Sequence, residues 1–297
     1  MDLSIVIVSW NTRADLARAL TSIAEAGCPV EVETVVVDNA SSDGSAAMVE
    51  REFSWARCIG NARNLGFAAA NNQGLRAARG EFALLLNPDT LVHRCALSAL
   101  VEFMRAHPAA AACGPKVLND DGSLQFSCRR FPSLATGFFR KVPLGRLLPD
   151  NRFNREYLMS DWDHSQAREV DWVSGAALCL RRSVVNEIGP FDDGYFMYCE
   201  DVDWCYRARR AGHSIHFAPA ATITHTRGRS SIQRPRRMAL EFHRSMLRFY
   251  RKHYAAGWPL LLRWFPPLGI LLRLLVVLVE IEISRWRNAV GRWVRRS

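Results

Sequence analysis

The sequence predicts an α/β protein built on a doubly wound, mainly parallel sheet flanked by helices. Two observations carry that expectation. Through residues 1–113, β-branched or aliphatic runs alternate four times with helical periodicity, joined by short links, the pattern of repeated β-α units. The polar residues of this region gather just after the strands, where open α/β sheets hold their ligands.

The elements follow in order. "LSIVIVSW" (3–10) is a continuous apolar run, as a strand buried on both faces requires. "TRADLARALTSIAEAG" has helical spacing and a glycine stop at Gly27. "VEVETVVVDNASSDGS" (30–45) is a second strand ending in a polar turn, and "AAMVEREF" a short helix. "WARCIGN" is a brief strand and "GFAAANNQGLRAARG" (66–80) a helix of small residues. "EFALLLNPDT" (81–90) is a strand that stops at Asn-Pro-Asp, and "ALSALVEFMRAHP" is another helix. The polar positions Ser9–Asn11, Asp38–Asp43, Asn61–Gly66 and Asn87–Asp89 should therefore share one crevice. Residues 114–170 are irregular and read as a variable substrate loop.

Composition narrows the partners. The chain has 297 residues and a net charge of +10. Residues 227–297 hold 16 Lys/Arg against three acids (Glu241, Glu280, Glu282), while residues 1–226 hold 23 basic and 26 acidic residues. A near-neutral body thus carries a basic tail, which points to a polyanion. In the tail, Trp258, Trp264, Trp286 and Trp293 alternate with Arg263, Arg273, Arg285, Arg287 and Arg292 around an apolar run over 264–279. That run, broken by Arg273, is shorter and more charged than the roughly 20 apolar residues of a span, so a transmembrane helix ranks third among the uses of the tail. The pattern suits an amphipathic helix lying on an anionic membrane surface rather than one binding nucleic acid. A packed helical interface, including one between copies of the chain in a homo-oligomer, is the second use of such a tail. The eight cysteines form no Cys-x-x-Cys pair, and "MDLSIVIVSWN" has an acid where a secretion signal needs a basic region. Both point to a cytosolic body.

No Walker loop and no Gly-x-Gly-x-x-Gly follows the first strand, so kinase-like and nicotinamide-dependent readings lose support. Asp38, at a strand tip before small polar residues, is placed to accept from a base N–H or a ribose hydroxyl; it equally suits an Asx turn. Asp89, after a Pro-fixed turn, suits Mg²⁺ or Mn²⁺, which take one or two carboxylates plus substrate phosphates. "EDVDWCYRARRAG" reads as a helix starting near Cys199 and stopping at Gly212. Asp203 and Arg207 are spaced i, i+4, so a salt bridge is expected there. Glu200 and Asp201 fall in the first turn, where the helix dipole favours ionised carboxylates, and Asp201 points away from the other two acids. Asp192 and Asp193 read as turn formers. In "WVSGA", Trp172 and Gly175 are candidates to line a sugar or acceptor pocket, with a core position the alternative for Trp172.

"SIVIVSWN", "VVVDNASSDGS", "RNLGFAAANNQG", "LLLNPDT" and the long stretch from "VSGAALCL" to "ATITHTRGRS" occur in this order. The series resembles the family 2 glycosyltransferases of the GT-A fold, in particular their bacterial rhamnosyltransferase-like branch, over roughly residues 3–230. The resemblance implies that Ser9, Trp10, Asn11 and Asp38 contact the base and ribose. It puts Asn64, Asn71 and Asn87 near the nucleotide or donor sugar. Asn87 and Asp89 stand where the family has Asp-x-Asp, so Asp89 is the firm metal ligand and His225 the second. Arg227 and Arg229 would meet the diphosphate. It implies a glycosyltransferase domain over 1–230, with a nucleotide half (1–113) and an acceptor half (114–230), and a membrane-associating tail over 231–297. The implied reaction is inverting transfer from a nucleoside-diphosphate sugar, dTDP-rhamnose first and UDP- or GDP-hexose as alternatives. Mg²⁺ or Mn²⁺ assists, Asp201 is the base, and Glu200 sits on the acceptor side. The acceptor would be a polyprenyl-diphosphate-linked glycan at the cytoplasmic face of the membrane. A sugar nucleotidyltransferase is the competing enzyme class; it needs a basic Gly-rich loop after the first strand, which "SWNTRADL" lacks.

Overall fold

A computed structural model describes residues 1–27, 29–133, 151–226 and 234–294. The first half alternates as expected: β1 (Leu3–Ser9), α1 (Arg13–Glu25), β2 (Val32–Asp38), α2 (Ser45–Glu52), β3 (Ala56–Gly60), α3 (Phe67–Ala77) and β4 (Phe82–Leu86). Then come a short β5 (Thr90–Val92), α4 (Ala96–Ala106) and β6 (Ala110–Leu118). The second half holds β7 (Cys128–Arg129), α5 (Arg152–Leu158), β8 (Arg168–Val170), β9 (Trp172–Val173), β10 (Ala177–Arg181), α6 (Arg182–Ile188), α7 (Glu200–Arg210) and β11 (Ser214–His225). Two long helices follow, α8 (Pro235–Phe249) and α9 (Phe265–Val294), joined through a π-helical turn at Tyr250–Tyr254 and two 3₁₀ turns.

Nine strands form one sheet in the order β3-β2-β1-β4-β10-β6-β11-β5, with β8 on β11. β1, β2, β3 and β4 pair in parallel, but β10 lies antiparallel between β4 and β6. Side-chain alternation along β1 builds both layers. Leu3, Ile5 and Ile7 belong to the core shared with α1, α2 and α4, whereas Val6 belongs to the second core, which includes Leu75 of α3 and Trp204 of α7. The small residues of α3 let it approach the sheet: a Cβ on Gly74 would stand 2.1 Å from Val6 Cγ1.

Two features of this topology position the site. Because β10 runs against β4, the turn before β10 meets the carboxyl end of β4, where Asn87 N–H donates to the Ala176 carbonyl (3.0 Å). The end of β11 pairs with β5 in the register His225↔Thr90, and Thr226 N–H donates to the Asp89 carbonyl (2.9 Å). A slip of one residue would turn His225 to the other face.

The tail departs from expectation. Its first part is docked on the body, with Phe249 and Tyr250 buried. The fully buried Asp203 pairs with Arg207 of its own helix (3.0 Å), as the i, i+4 spacing predicts. It also takes Lys252 Nζ (2.8 Å), His253 Nε2 (2.7 Å) and the Tyr195 hydroxyl (3.2 Å). Burial works to raise the Asp203 pKa, but hydrogen bonds from His253, Lys252 and Arg207 outweigh it and hold the carboxyl well below the usual range. The last helix is also longer than the apolar run suggested. Leu260–Arg287 forms a 28-residue stretch long and apolar enough, by length and composition, to cross a membrane. Arg273 does not break it, because it is 9% exposed and turned onto α8, 5.3 Å from the Phe242 ring and 3.3 Å from Met246 Sδ.

Replacing Asp203 by Ala leaves Lys252 and His253 without their shared partner, and is expected to lower stability by about 3–5 kcal/mol in urea unfolding. In the wild type, the folded carboxyl binds its proton less tightly than the unfolded one. Its contribution is therefore complete above the unfolded pKa near 3.9 and fades as the pH falls below it. Asp203→Ala is expected to lose that part of the acid dependence.

Candidate active site

At the carboxyl end of β2, Asp38 is 4% exposed. Its Oδ2 accepts from Ser41 N–H (3.0 Å), forming the expected Asx-type turn, while Oδ1 is buried with no protein partner. A buried carboxylate oxygen left open is costly unless a ligand donor meets it. Beside it, Asn11 takes a left-handed conformation (φ 52°) and its Oδ1 accepts from Ser42 N–H at 2.7 Å. Trp10 is half-buried beneath the Arg234 guanidinium, 5.1 Å from the ring centroid. The Ser9 hydroxyl is fully buried against Thr12 Oγ1 (3.0 Å). This corrects the expectation of a direct ligand contact from its side chain, which sits inside the fold and shapes the β1 turn.

Asn39 organises the rest of this wall. Its Nδ2 donates to Asn64 Oδ1 (3.1 Å) and the Gly66 carbonyl (3.2 Å), and its Oδ1 accepts from Leu65 N–H (2.9 Å) and Asn61 Nδ2 (3.2 Å). One buried amide thus fixes the 61–66 loop that carries Asn64. Gly66, at φ +89°, lets the loop close on the segment that precedes the acidic helix: a Cβ there would stand 2.4 Å from the Phe196 carbonyl. Asn71 is 1% exposed and gives its Nδ2 to the Phe67 carbonyl (2.9 Å), so that amide group is held inside α3.

Asp89, 8% exposed, places Oδ1 3.3 Å from His225 Nε2. Asn87 Nδ2 lies 3.5 Å from the same nitrogen. Gln125 decides the state of the imidazole. Its Nε2 donates to Asn119 Oδ1 (2.8 Å) and the His225 carbonyl (3.1 Å), which leaves Oε1 as the acceptor facing His225 Nδ1 at 2.7 Å. The hydrogen-bond network therefore places a proton on Nδ1 and leaves Nε2 facing Asp89. The pair fits a divalent cation, with a hydrogen-bonded partner orienting the imidazole as metal-binding histidines require. Among the described residues no third His, Cys, Asp or Glu joins it, which leaves the remaining positions for substrate oxygens and water.

The acids of α7 complete the site. Asp201 Oδ2 accepts from Gly175 N–H (2.8 Å) and Oδ1 from Val202 N–H (2.8 Å). Burial raises the Asp201 pKa, with the two N–H groups and the Arg129 charge pulling the other way. Glu200 is 4% exposed with Oε2 unpartnered. Burial, then the neighbouring Asp201 charge, pushes its pKa well above the usual range, which favours a neutral carboxylic acid. Trp172 is 4% exposed in the core, its indole N–H given to the Arg130 carbonyl (2.8 Å). This corrects its candidacy as a pocket wall: the ring is a core side chain. Arg227 and Arg229 lie outside the described residues. Sequence reasoning missed Asn39, Gln125 and Arg234, whose roles come from contacts across 25, 100 and more than 200 residues.

A parallel nucleotide-type sheet, a carboxylate–histidine pair at a strand end and an acid at a helix start define a GT-A-type transferase. The chain belongs to the family described as glycosyltransferase-like family 2, whose model matches residues 2–242. It is a glycosyltransferase. It is 31% identical over 274 residues to the N-acetylglucosaminyl-diphospho-decaprenol L-rhamnosyltransferase of Mycobacterium tuberculosis, covering 88% of each chain. It is 30% identical over 168 residues to the rhamnosyltransferase WbbL of Escherichia coli, covering 56% of this chain and 60% of that one. Among solved structures, it resembles a Pyrobaculum calidifontis mannosyltransferase in complex with GDP-Man and Mn²⁺. The TM-score there is 0.57 at 17% identity, over 98% of this chain and 79% of that one. It also resembles residues 1–349 of S. aureus TarS, with a TM-score of 0.54 at 19% identity, over 92% and 81% of the two chains.

Replacing Asn39 by Ala strands the donors and acceptors of the 61–66 loop. It is expected to cost about 1–3 kcal/mol and to weaken nucleotide binding, read by urea unfolding and calorimetry, with Asn61→Ala milder in both.

Proposed function

We propose that the enzyme transfers rhamnose from dTDP-rhamnose, with inversion, to a glycan carried on a polyprenyl diphosphate. The observation that carries this reading is a single turn. Gly175 N–H holds the Asp201 carboxylate, and the next residue, Ala176, holds Asn87 through its carbonyl. The candidate base and the metal-pair loop thus hang from adjacent residues. Asp201 keeps a lone pair on each oxygen beyond its N–H bonds, and that is what an attacking hydroxyl must reach. One base suffices when the hydroxyl attacks opposite the leaving group; hydrolases need two carboxylates.

Asp38 Oδ1 is the acceptor offered to the base or ribose, with Trp10 and Asn64 beside it. Asp89 and His225 would hold Mg²⁺ or Mn²⁺, which when bound neutralises charge on the departing diphosphate. Glu200, as a neutral acid, supplies a donor on the acceptor side. The rhamnosyltransferase relatives support the sugar, and the name of the mycobacterial relative supports an acceptor on a lipid diphosphate.

The tail supports the same acceptor. Leu268, Leu271, Leu272, Leu275, Val279 and Ile283 form an exposed stripe on α9 at three- and four-residue steps, flanked by Trp264 (72% exposed) and Trp286 (69%). The opposite flank carries the buried Arg273 against α8. A helix covered by protein on one side and apolar on the other lies in the plane of a membrane surface. The enzyme is then a peripheral protein of the cytoplasmic face.

Asp201→Asn is expected to lower kcat by about 10²–10⁴ while donor affinity stays within about twofold; near-normal turnover would sink the base assignment. Because burial raises the Asp201 pKa, the base is lost on the acid side at a pH above that of an ordinary aspartate. The acid limb of kcat/KM should therefore lie above about 4. A panel of dTDP-, UDP- and GDP-sugars, run with Mn²⁺, Mg²⁺ or chelator, is expected to favour dTDP-rhamnose and to lose turnover on chelation.

Removing residues 255–297 is expected to release the protein from sedimenting vesicles that contain anionic lipid, with nucleotide binding retained. Unchanged sedimentation would refute the role given to α9.

A further inference from the structure

The segment from Gln125 to Arg129 links the two halves of the site. At one end Gln125 N–H donates to the Val117 carbonyl (2.8 Å), and its side chain holds His225. At the other, Arg129 pairs with Trp172 across the β7–β9 ribbon. Between them Ser174 N–H donates to the Ser127 carbonyl (2.8 Å). Gln125, Ser127 and Arg129 are alternate residues of the chain that runs between these two contacts. At roughly 3.3 Å per residue of extended chain, Gln125 and Arg129 stand at most about 13 Å apart.

Two atoms on this strip have no protein partner, Ser127 Oγ and Arg129 Nε, and both are buried. The Arg129 guanidinium is clamped: Nη2 donates to the Phe126 carbonyl (3.2 Å), and the plane lies 5.1 Å from the Trp172 ring and 5.8 Å from that of Tyr157. Its neighbour Arg130 has Asp171 at 3.3 Å. Arg129 has no carboxylate within ion-pair distance among the described residues. A half-buried, immobilised guanidinium with no carboxylate within ion-pair distance, two residues from a buried hydroxyl without a partner, suits an anion.

We infer that Arg129 and Ser127 form a phosphate subsite on the acceptor side of the cleft, where the guanidinium takes an oxygen of the acceptor's diphosphate. This rests on the reading that the acceptor is a diphosphate-linked glycan. Two substrates bring a diphosphate to this enzyme, and position separates them. The donor's belongs with Asp89 and His225, at the Gln125 end. Arg129 stands at the other end, beside the turn that holds Asp201, where the acceptor hydroxyl must lie. The charge of Arg129 also helps keep Asp201 ionised, which suits a residue beside the base. Arg129 is thus a specificity residue for the acceptor carrier.

The test compares two acceptors with the same sugar, one on a short alkyl diphosphate and one on an uncharged alkyl chain. The wild type is expected to prefer the diphosphate acceptor in kcat/KM by tenfold or more. Arg129→Gln is expected to collapse that ratio at least tenfold through KM for the charged acceptor, and Ser127→Ala several-fold. Donor nucleotide affinity, measured by calorimetry, should stay within about twofold. A ratio in Arg129→Gln equal to that of the wild type overturns the inference alone. So does a tenfold loss of donor affinity with the ratio kept, which would assign the subsite to the donor. No preference in the wild type overturns both the inference and the acceptor reading on which it rests. If Arg129→Gln does not fold, Arg129→Lys carries the same comparison and is expected to cut the ratio several-fold, since an ammonium loses the guanidinium fork.

Discussion

A carboxylate with no access to water sits at the centre of this molecule, and much of the site depends on how its charge is met. Asp203 is fully buried, and its compensation comes from three places: Arg207 on its own helix, Tyr195 in the preceding loop, and Lys252 with His253 in the tail. An unpaired carboxylate in that position would be prohibitive. Helix α7 can therefore settle only where all three segments converge. Its first turn carries Glu200 and Asp201, so the location of the candidate base follows from the neutralisation of an acid two residues later. The same carboxylate makes the tail part of the folded body.

Within that frame, the two sides of the site are set by strand direction. Parallel strands bring Asp38 and the Asn-Pro-Asp turn to one edge, as any doubly wound sheet does. The antiparallel β10 then returns a turn to that edge from the other half of the chain, and its Gly175 and Ala176 touch Asp201 and Asn87. The register of β11 on β5 delivers His225 to Asp89. The Asn87–Ala176 contact is a backbone bond, the His225 contact follows from register, and the Asp201 carboxylate is fixed by backbone N–H groups.

This explains what could be read beforehand. The first four β-α units and the acidic helix from Glu200 to Arg210 were legible because local periodicity and stop signals report them. The Asp203–Arg207 pair was legible because helical spacing is local too. Asn39, Gln125 and the Lys252–His253 arm were not, since an asparagine or glutamine acquires its role only from partners that folding brings near. Ser9 and Trp172 show the converse error: motif position identified the right turns, but not that these side chains point inward. The length of α9 escaped because Arg273 looked like an interruption; once its guanidinium is turned onto Phe242 and Met246, the outer face stays apolar.

The tail also gives the proposed membrane contact a mechanical consequence. Residues 250–254 carry Lys252 and His253 to Asp203, while 3₁₀ turns lead from there to Leu260 and the exposed stripe of α9. From His253 the chain reaches the exposed Leu260 in seven residues, through a 3₁₀ turn at Ala255–Gly257. Tyr250 closes this stretch, its hydroxyl donating to the Arg263 carbonyl (2.9 Å). A helix resting on a bilayer would therefore orient α7 as a nearly rigid unit. That arrangement answers a geometric demand of the proposed reaction. An acceptor on a lipid diphosphate reaches only a short way out of the membrane, so the base must be held at a fixed height above it. Arg129, clamped between Trp172 and Tyr157 on the body to which α7 is tied, would then meet the diphosphate at the depth where the carrier presents it.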